Sequence, residues 1–140
     1  MASQSEIILA ASAGLARLHE IDQRFRNHVK SVGTAVDGLG SLTAPAGEIV
    51  ASCLGVQLQV ARKPIVINGK PTVFEYVFGV MKENGLKPYL RLYVDPHGKL
   101  CKDVKCQTTL CDYDNAYIAR NVLLALAEAL LHSEHFAPTP

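Results

Sequence analysis

The sequence predicts an α+β protein: a long N-terminal helix, a four-stranded antiparallel β-meander and a C-terminal helix, in the order α-β-β-β-β-α. Three observations carry this reading. Apolar residues recur at helical spacings of three and four near each end of the chain. Between them, from Ile49 to Val104, the period changes to two. That stretch is divided by Asn68-Gly69, Asn84-Gly85 and Asp95-Pro96-His97-Gly98, dipeptides and clusters that favour hairpins and turns.

The first helix is expected from about Gln4 to Val32. Ser3 and Glu6 have the spacing of a capping box. Ile7, Ala11, Gly14, Leu18, Ile21, Phe25, His28 and Val32 form one stripe, and Glu20–Arg24 and Asp22–Arg26 are i,i+4 pairs in the favourable order. Gly33 is the expected stop. Residues 33–48 are rich in Gly, Ala, Ser and Thr and read as a long flexible loop. Strands follow over roughly 50–67, 70–82, 88–95 and 99–104, with Pro64 marking a bend or an edge. The second helix is expected over Tyr113–Ser133 with Asp112 as its cap, apolar on most sides between Val122 and Leu131. Residues 136–140 read as a short disordered tail.

A chain of 140 residues fits one domain spanning 1–140. Its core needs no metal or disulfide, so folding should survive reductant and chelator. The formal net charge of +1, with basic residues scattered among acidic ones, argues against a nucleic-acid or anionic-membrane partner. Ile7–Ala16 lacks the basic start of a signal peptide, and Val122–Leu131 is too short to span a bilayer. A cytoplasmic protein with four reduced thiols is the expectation.

If each Asn-Gly is a two-residue turn, Arg62 pairs with Glu75, Val60 with Val77, and Val77 with Leu92. Alternation then assigns every side chain a face. Val56, Leu58, Val60, Val77, Leu90, Leu92, Val94 and Leu100 form an aliphatic face that should carry the helices. Phe74, Tyr76, Phe78, Tyr89, Arg91 and Tyr93 form an aromatic face on the other side, the composition of a contact surface. Three coverings compete for it: a second copy of the chain, a small apolar or aromatic ligand, or the second helix.

The leading expectation is a non-enzymatic binding or interaction protein that forms a homodimer through this face. The alternative is a ligand-binding cup or small enzyme with a pocket between that face and residues 33–48. No catalytic residue and no cofactor is assigned. His97, Cys101, Cys106 and Cys111 have zinc-type donors, but the His-x3-Cys-x4-Cys-x4-Cys spacing is not that of a structural zinc site, and no metal is expected. Asp112, Asp114 and Asn115 read as helix-capping residues, and His132 and His135 as compensation of the helix C-terminus.

Overall fold

The computed structural model describes residues 3–138. Helix α1 (Gln4–Val32) begins at Ser3, whose hydroxyl accepts from the Glu6 backbone while the Glu6 side chain accepts from the Ser3 backbone. Both halves of the expected capping box are therefore formed. Gly33 closes the helix, donating its N–H to the Val29 carbonyl. It does so in an extended conformation; glycine is required there because a Cβ would stand 2.3 Å from that carbonyl oxygen and 2.5 Å from that of Leu42.

The sheet has eight strands, not four, all antiparallel and in sequence order. They are β1 (Ala35–Val36), β2 (Gly40–Thr43), β3 (Val50–Cys53), β4 (Val56–Ile67), β5 (Lys70–Lys82), β6 (Gly85–Val94), β7 (Lys99–Cys101) and β8 (Thr109–Asp112). Part of the segment expected as a loop, 33–48, is thus strand. Helix α2 (Ile118–Leu131) starts later than expected, because Asp112 belongs to the β7–β8 ladder opposite Lys99. A 3-10 turn (Glu134–Phe136) follows and runs into the first residue of the expected disordered tail; residues 139–140 of that tail lie outside the described residues. Among the described residues no helix is long and apolar enough to cross a membrane.

The register corrects the expected faces. Asn68-Gly69 does form a two-residue turn, with Ile67 opposite Lys70. Both turn residues have positive φ, +52° and +77°, as a type I′ hairpin requires. A bulge between Ile65 and Val66 then shifts the ladder, so that Arg62 lies opposite Tyr76 and Val60 opposite Phe78. Across the next hairpin Lys82 pairs with Gly85, making Glu83-Asn84 the turn, and a second bulge leaves Tyr89 without a ladder partner. Beyond it Tyr76 lies opposite Leu92 and Val77 opposite Arg91. A one-residue slip turns every side chain of a strand over relative to its neighbours. Here slips on both sides of β5 turn that strand alone.

Phe74, Tyr76 and Phe78 consequently join Leu92, Val94 and Leu100 in one apolar cluster with Leu18, Ile21, Phe25 and Val29 of α1 and Val122, Leu123, Leu126 and Leu130 of α2. The Phe25 and Tyr76 rings meet edge to face at 5.0 Å. Val77, expected beneath the helices, lies on the other side with Ala61 and Arg91. The expected Arg62–Glu75 pairing is not formed, since the two residues lie on opposite faces.

Arg62 instead serves a buried network. Its Nη1 donates to Asp22 Oδ2 at 2.7 Å, and its Nε and Nη2 donate to the two Glu48 oxygens at 3.3 and 2.9 Å. Arg26 Nε reaches Asp22 Oδ2 at 3.2 Å, completing the expected helical pair, and the Tyr76 hydroxyl donates to Asp22 Oδ1 at 2.7 Å. Asp22 is only 1% exposed and Tyr76 fully buried. Burial, then the adjacent Asp22 carboxylate, pushes the Tyr76 phenol well up, so it stays a neutral donor.

Candidate functional site

The six residues expected on one aromatic face divide. Phe74, Tyr76 and Phe78 are each 1% exposed or less and belong to the core. Arg91 and Tyr93 stand on the opposite, outer side of the sheet, and Tyr89 occupies the bulge beside them, its ring 6.0 Å from that of His135. A contact surface built on Phe74, Tyr76 and Phe78 is therefore corrected: these rings are covered by α1.

The outer side carries two adjoining grooves that share Pro88 and Arg91. One, of about 250 Å³, is lined by Ala61, Arg62, Lys63, Glu75, Val77, Leu86, Pro88 and Arg91. The other, of about 370 Å³, is lined by Pro88, Tyr89, Leu90, Arg91, Tyr93 and Lys102. No residue of 33–48 lines either groove, so the expected pocket beside that segment is replaced by one formed by β4, β5 and β6. Strand alternation explains the lining: Ala61 and Lys63 face Val77 and Glu75, which face Arg91 and Tyr93.

Glu75 is the unusual member. The residue is only 6% exposed, between Lys63 and Tyr93 on the flanking strands. Arg91 Nη1 lies 3.5 Å from Glu75 Oε2, leaving the rest of the guanidinium facing the grooves. Burial, followed by the nearby Glu75 charge, pushes the Tyr93 phenol up. Lys63 and Lys102 form no ion pair among the described residues. Besides Arg62, which is committed to Asp22 and Glu48, three cationic residues line the grooves against the single carboxylate of Glu75. The lining contains no Ser, Cys or His. Together the grooves present cationic side chains, an apolar bed and two phenols.

The remaining candidates are dispersed. Asp112 pairs with Lys99 at 2.6 Å, and Asn115 Oδ1 accepts from the Tyr117 backbone just ahead of α2. His132 caps the C-terminus of α2. All four cysteines are free. Cys53 donates to the Leu123 carbonyl at 3.5 Å, and Cys111 packs against the core. Cys101 and Cys106 lie together near Asp95, away from both; burial and the neighbouring Cys101 push the Cys106 thiol up. His97 is exposed and outside that group.

Sequence reasoning named Tyr89, Arg91 and Tyr93 but missed Lys63, Glu75 and Lys102 as members of this surface. Glu75 was assigned to the opposite face by the register slip. No family model, curated protein or solved structure matches this chain.

Proposed function

We propose that this is a non-enzymatic binding protein that takes an anionic small molecule with an apolar body into the outer-face grooves. The observation that supports it is the run of Lys63, Arg91 and Lys102 along the two adjoining grooves, the first of which has an apolar bed of Ala61, Val77, Leu86 and Pro88. Arg91 is the specific anchor, because a guanidinium can grip a carboxylate with two parallel N–H donors. The surface is suited to a ligand rather than a nucleic acid, since three cations in a +1 chain do not make an extended basic field. An aryl carboxylate such as a naphthoate is a suitable probe, observed by amide chemical shifts. Perturbations confined to β4–β6, with affinity falling about tenfold in Arg91→Ala, are expected for loss of one charge-assisted contact. Unchanged shifts in the wild type, or equal affinity in Arg91→Ala, would refute the reading.

A second reading is favoured by a different surface and concerns self-association. Ile7, Ile8 and Leu9 are 54%, 60% and 69% exposed on successive sides of α1, and Ile7 shares a groove with Gly69, Lys70 and Pro71 at the β4–β5 hairpin. No charge interrupts the helix between Glu6 and Arg17, so an identical helix meets no like-charge repulsion in an isologous pair. This would relocate the homodimer from the aromatic face to the start of α1. The wild type should then sediment as a dimer and Leu9→Glu as a folded monomer; a monomeric wild type at high concentration rules this out.

A further inference from the structure

The β6–β7 turn and the β7–β8 loop bring three metal-type donors together from outside the grooves. Asp95, Cys101 and Cys106 each offer one ligand atom, and these atoms lie within 4.8 Å of one another. We propose that they form a binding site for a thiophilic divalent cation of the zinc type. A tetrahedral ion with sulfur at about 2.3 Å and oxygen at about 2.0–2.2 Å needs its donors roughly 3.5–3.8 Å apart. Small side-chain rotations close that difference.

Each donor is held by the fold. Asp95 Oδ1 accepts from the backbone of His97 and of Lys99, both at 2.9 Å, which orients the carboxylate and leaves Oδ2 without a hydrogen bond among the described residues. Such outer-shell bonds are what fix a ligating carboxylate. Cys101 sits in β7 opposite Tyr93 and is fully buried. Cys106 is delivered by the 102–108 loop. Its N–H donates to the Asp103 carbonyl at 3.0 Å, while the Asp103 carboxylate accepts from Gln107 and Thr108 at 3.0 and 2.8 Å. In that loop Cys106 holds a φ of +54°, a conformation residues with a Cβ seldom adopt. Two sulfurs select soft or borderline ions over calcium and magnesium, and three protein donors leave a fourth position for water or an outside ligand.

The set differs from the one suggested by spacing. Cys111 faces the helix side and His97 lies outside the cluster, whereas Asp95 enters through the turn. None of the three donors lines a groove, although Cys101 lies opposite Tyr93 of the second one. Folding is expected not to depend on the ion, because the apolar core is assembled elsewhere.

Cobalt(II) is the test probe, added to the reduced, chelator-treated chain. One equivalent should bind with thiolate-to-cobalt charge-transfer absorption and the visible bands of a tetrahedral ion, and zinc should displace it. Cys106→Ser, on a half-buried loop position, should stay folded by circular dichroism and weaken binding at least about tenfold, the loss that even an outer-shell change brings. Asp95→Asn should weaken it as well, and Cys111→Ala should leave it unchanged. A wild type that gives no charge-transfer band at any cobalt excess overturns the site. So does a folded Cys106→Ser that binds as tightly as the wild type, or a Cys111→Ala that loses the band.

Discussion

Phe78→Glu is expected to unfold the protein. Phe78 is 1% exposed and lies between Val60 and Leu90 under the helices. Removing a buried phenylalanine ring costs about 3–5 kcal/mol through lost burial and the cavity left behind. The introduced carboxylate adds about 3–5 kcal/mol for a buried, unpaired charge. The nearest cation across the ladder, Arg62, is already committed to Asp22 and Glu48. The sum rivals the roughly 5–15 kcal/mol that holds a typical domain together. Ala61→Glu is the control. Ala61 is exposed on the outer side, and a carboxylate there keeps its water. Circular dichroism and urea titration of the two variants separate the faces. A cooperatively folded Phe78→Glu would show that β5 presents its aromatic residues outward after all.

Asp22→Ala is expected to cost about 3 kcal/mol, the lower part of the range for breaking a buried ion pair. The lower part applies because Arg26 and Arg62 side chains remain 20% and 25% exposed and recover some hydration. The loss is nonetheless larger than that of an ordinary surface pair, since three donors converge on this one carboxylate. Without it the Tyr76 hydroxyl is left buried and unsatisfied. Tyr76→Phe removes a single donor and leaves Asp22 its two guanidiniums, so about 1.5 kcal/mol is expected there, the low end for a hydrogen bond to a charged group. Urea midpoints measure both, and the double variant gives their coupling. A loss in Asp22→Ala no greater than in Tyr76→Phe would mean that the network only decorates the helix–strand junction.

Arg62 shows what this network does for the site. By engaging the donors of Arg62, Asp22 and Glu48 leave Lys63, Arg91 and Lys102 as the cations available to the outer grooves. The division of charge between the two faces therefore follows from register as much as from composition.

What could be read from the sequence was local. Helix α1 matches its expected bounds because its signals act within four residues: the Ser3–Glu6 box, the apolar stripe and the Asp22–Arg26 pair. The Asn68-Gly69 turn was legible for the same reason, its two residues tolerating the positive φ a tight hairpin needs. Leu54-Gly55, with φ of +52° and +79°, makes the same kind of turn between β3 and β4, but leucine does not signal a left-handed conformation as asparagine does, so that hairpin was missed and β3 merged with β4. The short strands β1, β2 and β8 carry too few residues for a period to emerge, and only pairing with neighbours makes them strands.

The faces were decided by tertiary structure. Strand β5 is apolar on both sides, with Val73 and Val77 alternating with Phe74, Tyr76 and Phe78, so alternation alone cannot say which set turns inward. Two bulges settle it, and each is a single unpaired residue with no strong mark in the sequence. The orientation they produce buries three aromatic rings under α1 and α2 and pairs the Tyr76 hydroxyl with Asp22, contacts between residues 54 positions apart in the chain. The same holds for Asp95, Cys101 and Cys106, whose spacing matches no metal motif and which only the folded turn and loop bring together. The sequence by itself determined the helices, the antiparallel meander and one turn, because those are set by neighbours along the chain. Which face of β5 meets the helices was left to the packing of residues far apart in sequence.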